Sequence, residues 1–134
     1  MLFTNKALST LAAAGIAAAS LVTVAPTASA AGCVRSGVTT GFLSPGTVVH
    51  KSNSGCRDLN VTYANDTSDV GWDSYAGFYR DAYGYWNRGS RGYVTVEDGW
   101  FNPGDFILVT DLTSGREFSV ASLRNGGDYV EIAH

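Results

Sequence analysis

The chain has 134 residues, 45% of them hydrophobic, with nine basic and twelve acidic side chains and a formal charge of −3. That length suits one domain once a leader is set aside. The acidic balance, with arginines scattered and no basic block, excludes the clustered cations that a nucleic-acid backbone binder needs, and two cysteines with two histidines leave no Cys/His group for zinc.

Lys6 gives a short positive start, an apolar alanine-rich run covers positions 7–25, and Ala28-Ser29-Ala30 supplies small residues in an A-x-A pattern. This is the layout of a secretory signal peptide over residues 1–30, with cleavage expected after Ala30 and an uncut membrane anchor as the alternative. The secreted, extracellular product would run from Ala31 to His134, 104 residues with a net charge of 8 − 12 = −4. No later segment is apolar enough over a membrane's thickness, so no membrane contact is expected after cleavage. Cys33 and Cys56 form an even pair in an exported chain, which reads as a disulfide. Ala30-Ala31-Gly32-Cys33 also resembles a bacterial lipoprotein box, which would acylate Cys33 and leave Cys56 a free thiol.

Turn chemistry then recurs at short intervals: Ser44-Pro45-Gly46, Asn53-Ser54-Gly55, Asp81 to Gly84, Asn87-Arg88-Gly89, Asp98-Gly99, Asn102-Pro103-Gly104, Ser114-Gly115 and Asn125-Gly126-Gly127. Breakers this frequent leave no room for a helix of ordinary length, but short strands fit between them. Val34–Thr40 and Thr47–Lys51 read as a first hairpin. Arg57–Ala64 alternates Leu59, Val61 and Tyr63 with Asp58, Asn60 and Thr62, so one face should be buried and the other wet. Tyr75–Arg80 and Tyr83–Arg88 flank a tight turn, and Gly92–Glu97 alternates again. The continuous apolar run in Phe106–Asp111 predicts a central strand covered on both faces. Glu117–Leu123 and Tyr129–Ala133 complete eight or nine strands. The expected fold is all-β, a small antiparallel sandwich with one disulfide.

Leu112-Thr113-Ser114-Gly115-Arg116-Glu117-Phe118 resembles the strand-to-strand corner of fibronectin type III domains. There a leucine, a glycine three later and an aromatic three after that cross between sheets, and Phe118 stands where that family usually carries tyrosine. The resemblance implies an immunoglobulin- or fibronectin-like sandwich. In overall style the chain is also similar to the small secreted proteins of actinobacteria, several of which are β-sandwiches that bind or inhibit something.

Ten of the sixteen aromatic residues fall between Trp72 and Phe101. A one-sided core cannot absorb them all, so a grouped, water-facing aromatic surface is expected. The candidate ligand-binding residues are Tyr83, Tyr85, Trp86, Arg88, Arg91 and Trp100, with rings for stacking and arginines as polar fixers. The partner would be a polysaccharide or an extracellular protein, and the protein a monomer without cofactor. The alternatives are an inhibitor of an extracellular hydrolase, a small hydrolase or nuclease, and a cell-surface structural protein. No catalytic residue is assigned: His50 and His134 have no recognisable partner in the sequence, and there is no G-x-S-x-G nucleophile turn. The polar stretch Asn65–Asp73 offers closely spaced oxygens, but not in a twelve-residue calcium-loop pattern, so it reads as a solvated loop with no metal. Asn60-Val61-Thr62 and Asn65-Asp66-Thr67 match the glycosylation pattern, which matters only in a eukaryotic secretory route.

Overall fold

The computed structural model describes residues 32–134, and the expected leader lies outside them. The regular elements are strands in two sheets: β1 (Arg35–Thr39), β2 (Gly41–Phe42), β3 (Val49–His50), β4 (Leu59–Asn65), β5 (Trp72–Arg80), β6 (Trp86–Arg88), β7 (Val94–Glu97), β8 (Gly99–Trp100), β9 (Ile107–Val109), β10 (Glu117–Ser122) and β11 (Tyr129–Ala133). The first sheet runs β9-β4-β11-β1, with β8 sharing β4's outer side with β9. The second runs β2-β10-β5-β6, with β3 beside β2 on β10 and β7 beside β6 on β5. Every pairing is antiparallel except β2 with β10. The all-β sandwich expected from the turn spacing is the fold observed.

Each sheet has long inner strands, and its edges are broken into two- to four-residue pieces except at β1, an unbroken five-residue edge. The breaks fall where Gly and Pro interrupt the chain, and short edges offer little template for edge-to-edge association. The core joins Val38 of β1, Val61 of β4, and Val130 and Ile132 of β11 to Tyr75 of β5, Val96 of β7, and Phe118 and Val120 of β10. The chain passes from β9 in the first sheet to β10 in the second through Leu112–Arg116, the stretch that resembled a sheet-crossing corner.

Three expectations need correction. The first hairpin does not form, because β1 pairs with β11 while β3 pairs with β10 in the other sheet. The Phe106–Asp111 run is not central. Its strand, β9, pairs only with β4; Leu108 and Val109 are buried in the core between the sheets, while Phe106 and Ile107 are half-buried. The second face of β4 is not wet, since Asn60 and Thr62 are buried. Asn60 Nδ2 donates to Ala133 O at 3.3 Å, and its Oδ1 accepts from Gly104 N at 2.9 Å. Thr62 Oγ1 donates to Glu131 Oε1 at 3.0 Å. Polar side chains that find partners can replace the apolar ones that alternation looks for.

The two sheets approach each other closely at Gly77 of β5. A Cβ there would lie 2.5 Å from Val109 Cγ2 and 3.1 Å from Leu108 Cβ. Gly77→Ala should therefore overpack the core and cost about 1–3 kcal/mol, more than alanine's backbone advantage of about 0.5–1 kcal/mol in a strand. In thermal melts the midpoint should fall, and a second change, Val109→Ala, should be less damaging in the Gly77→Ala background than alone. Additive losses would contradict this account.

Candidate functional site

The expected aromatic surface is divided among separate places. Trp100 lies on β8, on the outer face of the first sheet, 71% exposed. Its ring packs against Tyr63 of β4 at a 44° tilt with centroids 4.3 Å apart, and the Tyr63 ring centroid lies 6.0 Å from that of Tyr129 of β11. Register explains the row: Tyr63 pairs with Trp100 on one side and with Glu131 on the other, one alternation from Tyr129. Beyond β11, Tyr129 reaches over β1 at Gly37, where a Cβ would run into Tyr129 Oη. The absent side chain lets this ring lie down along the sheet. Tyr129 was missed because it lies far from the aromatic block in sequence, and Tyr63 because alternation assigns it to the buried face with Leu59 and Val61. A register irregularity against β11, where Val61 pairs with Ile132 but Tyr63 with Glu131, turns Tyr63 outward instead. The signal available was the glycine inside β1.

Tyr83 and Tyr85 stand at the tip of the β5–β6 hairpin, 87% and 71% exposed. The turn beneath them is tightly held. Asp81 Oδ1 accepts from Tyr83 N at 2.9 Å and Tyr85 N at 3.0 Å, and Oδ2 accepts from Asn87 Nδ2 at 3.0 Å. Gly84 takes the positive φ of 87° that the turn requires. The Asn87 amide and the Tyr85 amide hold the Asp81 carboxyl below the usual carboxylate range.

Trp86 and Arg88 of β6 belong to a different arrangement. The Arg80 guanidinium covers the Trp86 ring at 4.7 Å, and Arg88 lies over Tyr93 at 5.6 Å. A face occupied by a guanidinium is not free to stack a ligand, so Trp86 contributes less open ring surface than expected. Arg91 is exposed on the turn that follows β6. Arg88 does reach a cleft of about 400 Å³, shared with Tyr79, Ser90, Thr110, Thr113 and Arg116.

The polar stretch between β4 and β5 is solvated at Asn65, Thr67, Asp69 and Val70, but not at Asp66 and Asp73. These two are buried together with Asp128, and one oxygen from each lies within 4.8 Å of the others. That grouping is of a kind a hard cation accepts. Here the protein's own donors occupy it. Asp73 Oδ1 accepts from Ser74 N at 2.6 Å and Arg124 N at 3.0 Å. Asp128 Oδ1 accepts from Thr67 N and Thr67 Oγ1, each at 2.9 Å, and its Oδ2 accepts from Tyr75 Oη at 3.1 Å. Asp66 accepts from Ser68 N and Oγ. The Asn125 amide, turned with its nitrogen inward, donates to Asp66 Oδ1 at 3.2 Å and Asp73 Oδ2 at 2.8 Å. Burial raises the Asp128 carboxyl above its usual range, and the neighbouring Asp73 carboxyl adds to that shift. Burial, then the Asp128 charge, pushes the Tyr75 phenol up. The loop is a structural anchor built on shared protons and backbone donors. Spacing alone missed it because Asp128 arrives from sixty residues downstream.

The two histidines acquire partners that the sequence did not reveal. His50 Nε2 lies 3.5 Å from Glu117 Oε2, and Arg80 Nε lies 2.9 Å from Glu117 Oε1. This chain of charges is spread over the surface, with His50 largely in water. His134 is buried. Its Nδ1 accepts from Ser52 N at 3.0 Å and its Nε2 meets Ser36 Oγ at 2.9 Å. Burial, and then the charge of Lys51, push its pKa down to about 4.

Cys33 and Cys56 are disulfide-bonded, which excludes an acylated Cys33 in this state. Among the described residues no helix is long and apolar enough to cross a membrane. The chain matches no family model, no curated protein and no solved structure with which it was compared.

Proposed function

We propose that this is a small secreted, non-catalytic binding protein that holds a polysaccharide against the Tyr63–Trp100–Tyr129 row. The observation that carries the reading is this water-facing row of rings across three strands of one sheet, with Gly37 making room for the last. Sugar rings have apolar faces of C–H groups that stack on aromatic rings, and an exposed apolar patch on a small sandwich is otherwise a liability. Strands hold the rings before a ligand arrives, so little ordering cost falls on binding. Glu131, paired with Arg35 at 3.3 Å on the same face, provides polar groups for sugar hydroxyls.

The test is sedimentation of the protein with insoluble polysaccharides, beside Trp100→Ala and Tyr129→Ala. Either variant should stay folded and bind roughly 10- to 30-fold more weakly, the loss typical of an anchor ring. Undiminished binding by both would remove this face from consideration. A second reading, an inhibitor of an extracellular hydrolase, is favoured by the rigid hairpin tip that projects Tyr83 and Tyr85. It requires a discrete complex with a hydrolase that Tyr83→Ala abolishes and Trp100→Ala leaves intact.

A further inference from the structure

We infer that the cleft between the end of β6 and the β9–β10 crossing is a second binding site, one that takes the carboxylate of an acidic sugar. It lies apart from the Trp100 row and does not rest on that row's role.

Arg88 and Arg116 both line this cleft. In an acidic protein most cations should be neutralised by neighbours, yet among the described residues neither arginine is in an ion pair. Arg88 has only the Tyr93 ring beneath it. Arg116 uses Nη1 to reach Arg80 O at 2.9 Å, a backbone contact that fixes its plane without pairing it with a carboxylate. The nearby carboxylates are otherwise engaged. Asp111 also lines the cleft, and it is paired with Arg57 at 3.2 Å. Asp81, which feels the Arg116 charge, has its oxygens committed to the hairpin tip. Guanidinium groups match a carboxylate's two oxygens with directed donors, and do so better in a concavity than on an open surface.

The remaining lining favours a sugar over an acidic peptide. Tyr79, Ser90, Thr110 and Thr113 bring hydroxyls to the walls. Each is both donor and acceptor, which suits a ligand bearing hydroxyls around a ring. The volume of about 400 Å³ falls in the range of small-ligand sites.

Affinity electrophoresis of the protein through gels containing polygalacturonate, carboxyl-reduced polygalacturonate or polyglutamate tests this. Polygalacturonate should retard the protein, the carboxyl-reduced polymer should not, and added salt should weaken the effect. Arg88→Gln, at an exposed position, should keep its melting temperature and bind about tenfold more weakly, the loss expected for one charge-assisted contact. Arg116→Lys should weaken binding in the same direction, and Trp100→Ala should leave it unchanged. The proposal is overturned by absent retardation in polygalacturonate, by equal retardation of folded Arg88→Gln, by equal response to the carboxyl-reduced polymer, or by polyglutamate binding as well as the sugar polymer.

Discussion

Asp128→Ala is expected to destabilise the protein by about 3 kcal/mol, while Asp128→Asn should cost under about 1 kcal/mol. The alanine variant strands the buried Tyr75 hydroxyl, and an unpaired buried donor costs about 1–3 kcal/mol; it also removes the acceptor that two part-buried Thr67 donors share. Asparagine keeps an oxygen for Thr67 and turns a donor toward Asp73, imitating the protonated acid. The pH dependence distinguishes this from simple packing loss. Because the folded Asp128 carboxyl is raised from the ordinary 3.8, the folded protein retains a proton that the unfolded chain releases. Stability from this source is full below about 3.8 and lost as pH rises through the folded value. His134 acts in the opposite sense. Its pKa falls from 6.5 to about 4 on folding, so its contribution is full above 6.5 and lost as pH falls toward 4, by up to about 3 kcal/mol. Urea melts across this window should show Asp128→Asn losing the decline toward high pH. His134→Asn, whose side-chain oxygen can still accept from Ser52 N, should lose the decline toward low pH. Equal damage from the alanine and asparagine variants, with unaltered pH slopes, would refute the shared-proton description.

Removing the disulfide should have an effect of similar size. Cys33 and Cys56 are 23 positions apart, and loop-closure entropy assigns such a cross-link about 3 kcal/mol. The closed loop contains β1 in the first sheet and β2 and β3 in the second, so the bond restrains segments of both layers before either is complete. For a domain of this size that is a large share of net stability, and the Cys33→Ser/Cys56→Ser pair should lower the calorimetric midpoint by roughly 10–20 °C. A fall below about 5 °C would mean that the unfolded chain already keeps these segments close.

Tyr129–Ala133 matches β11, and the β5–β6 hairpin formed about the turn its Asp and Gly residues announce. These are local matters: φ preferences, period-two alternation and breaker spacing act within a few residues. The Phe106–Asp111 run shows where that reasoning stops. Continuous apolarity reports that a strand is covered, but not whether by strands beside it or by a sheet facing it. The Asn65–Asp73 loop shows the same limit for polar residues. Asp66 and Asp73 looked solvated because their donors from Asn125 and Arg124, and the Asp128 carboxyl beside them, lie far along the chain.

The sequence by itself determined the strand content, the frequent turns, the pairing of the only two cysteines and the presence of more aromatic rings than one core can hold. Each follows from composition or from interactions within a few residues. Only the tertiary structure decided how the rings were distributed. It drew Trp100 away from Tyr83, Tyr85 and Trp86 and set it beside Tyr63 and Tyr129, because neighbours in a sheet are chosen by pairing register between distant strands rather than by order along the chain.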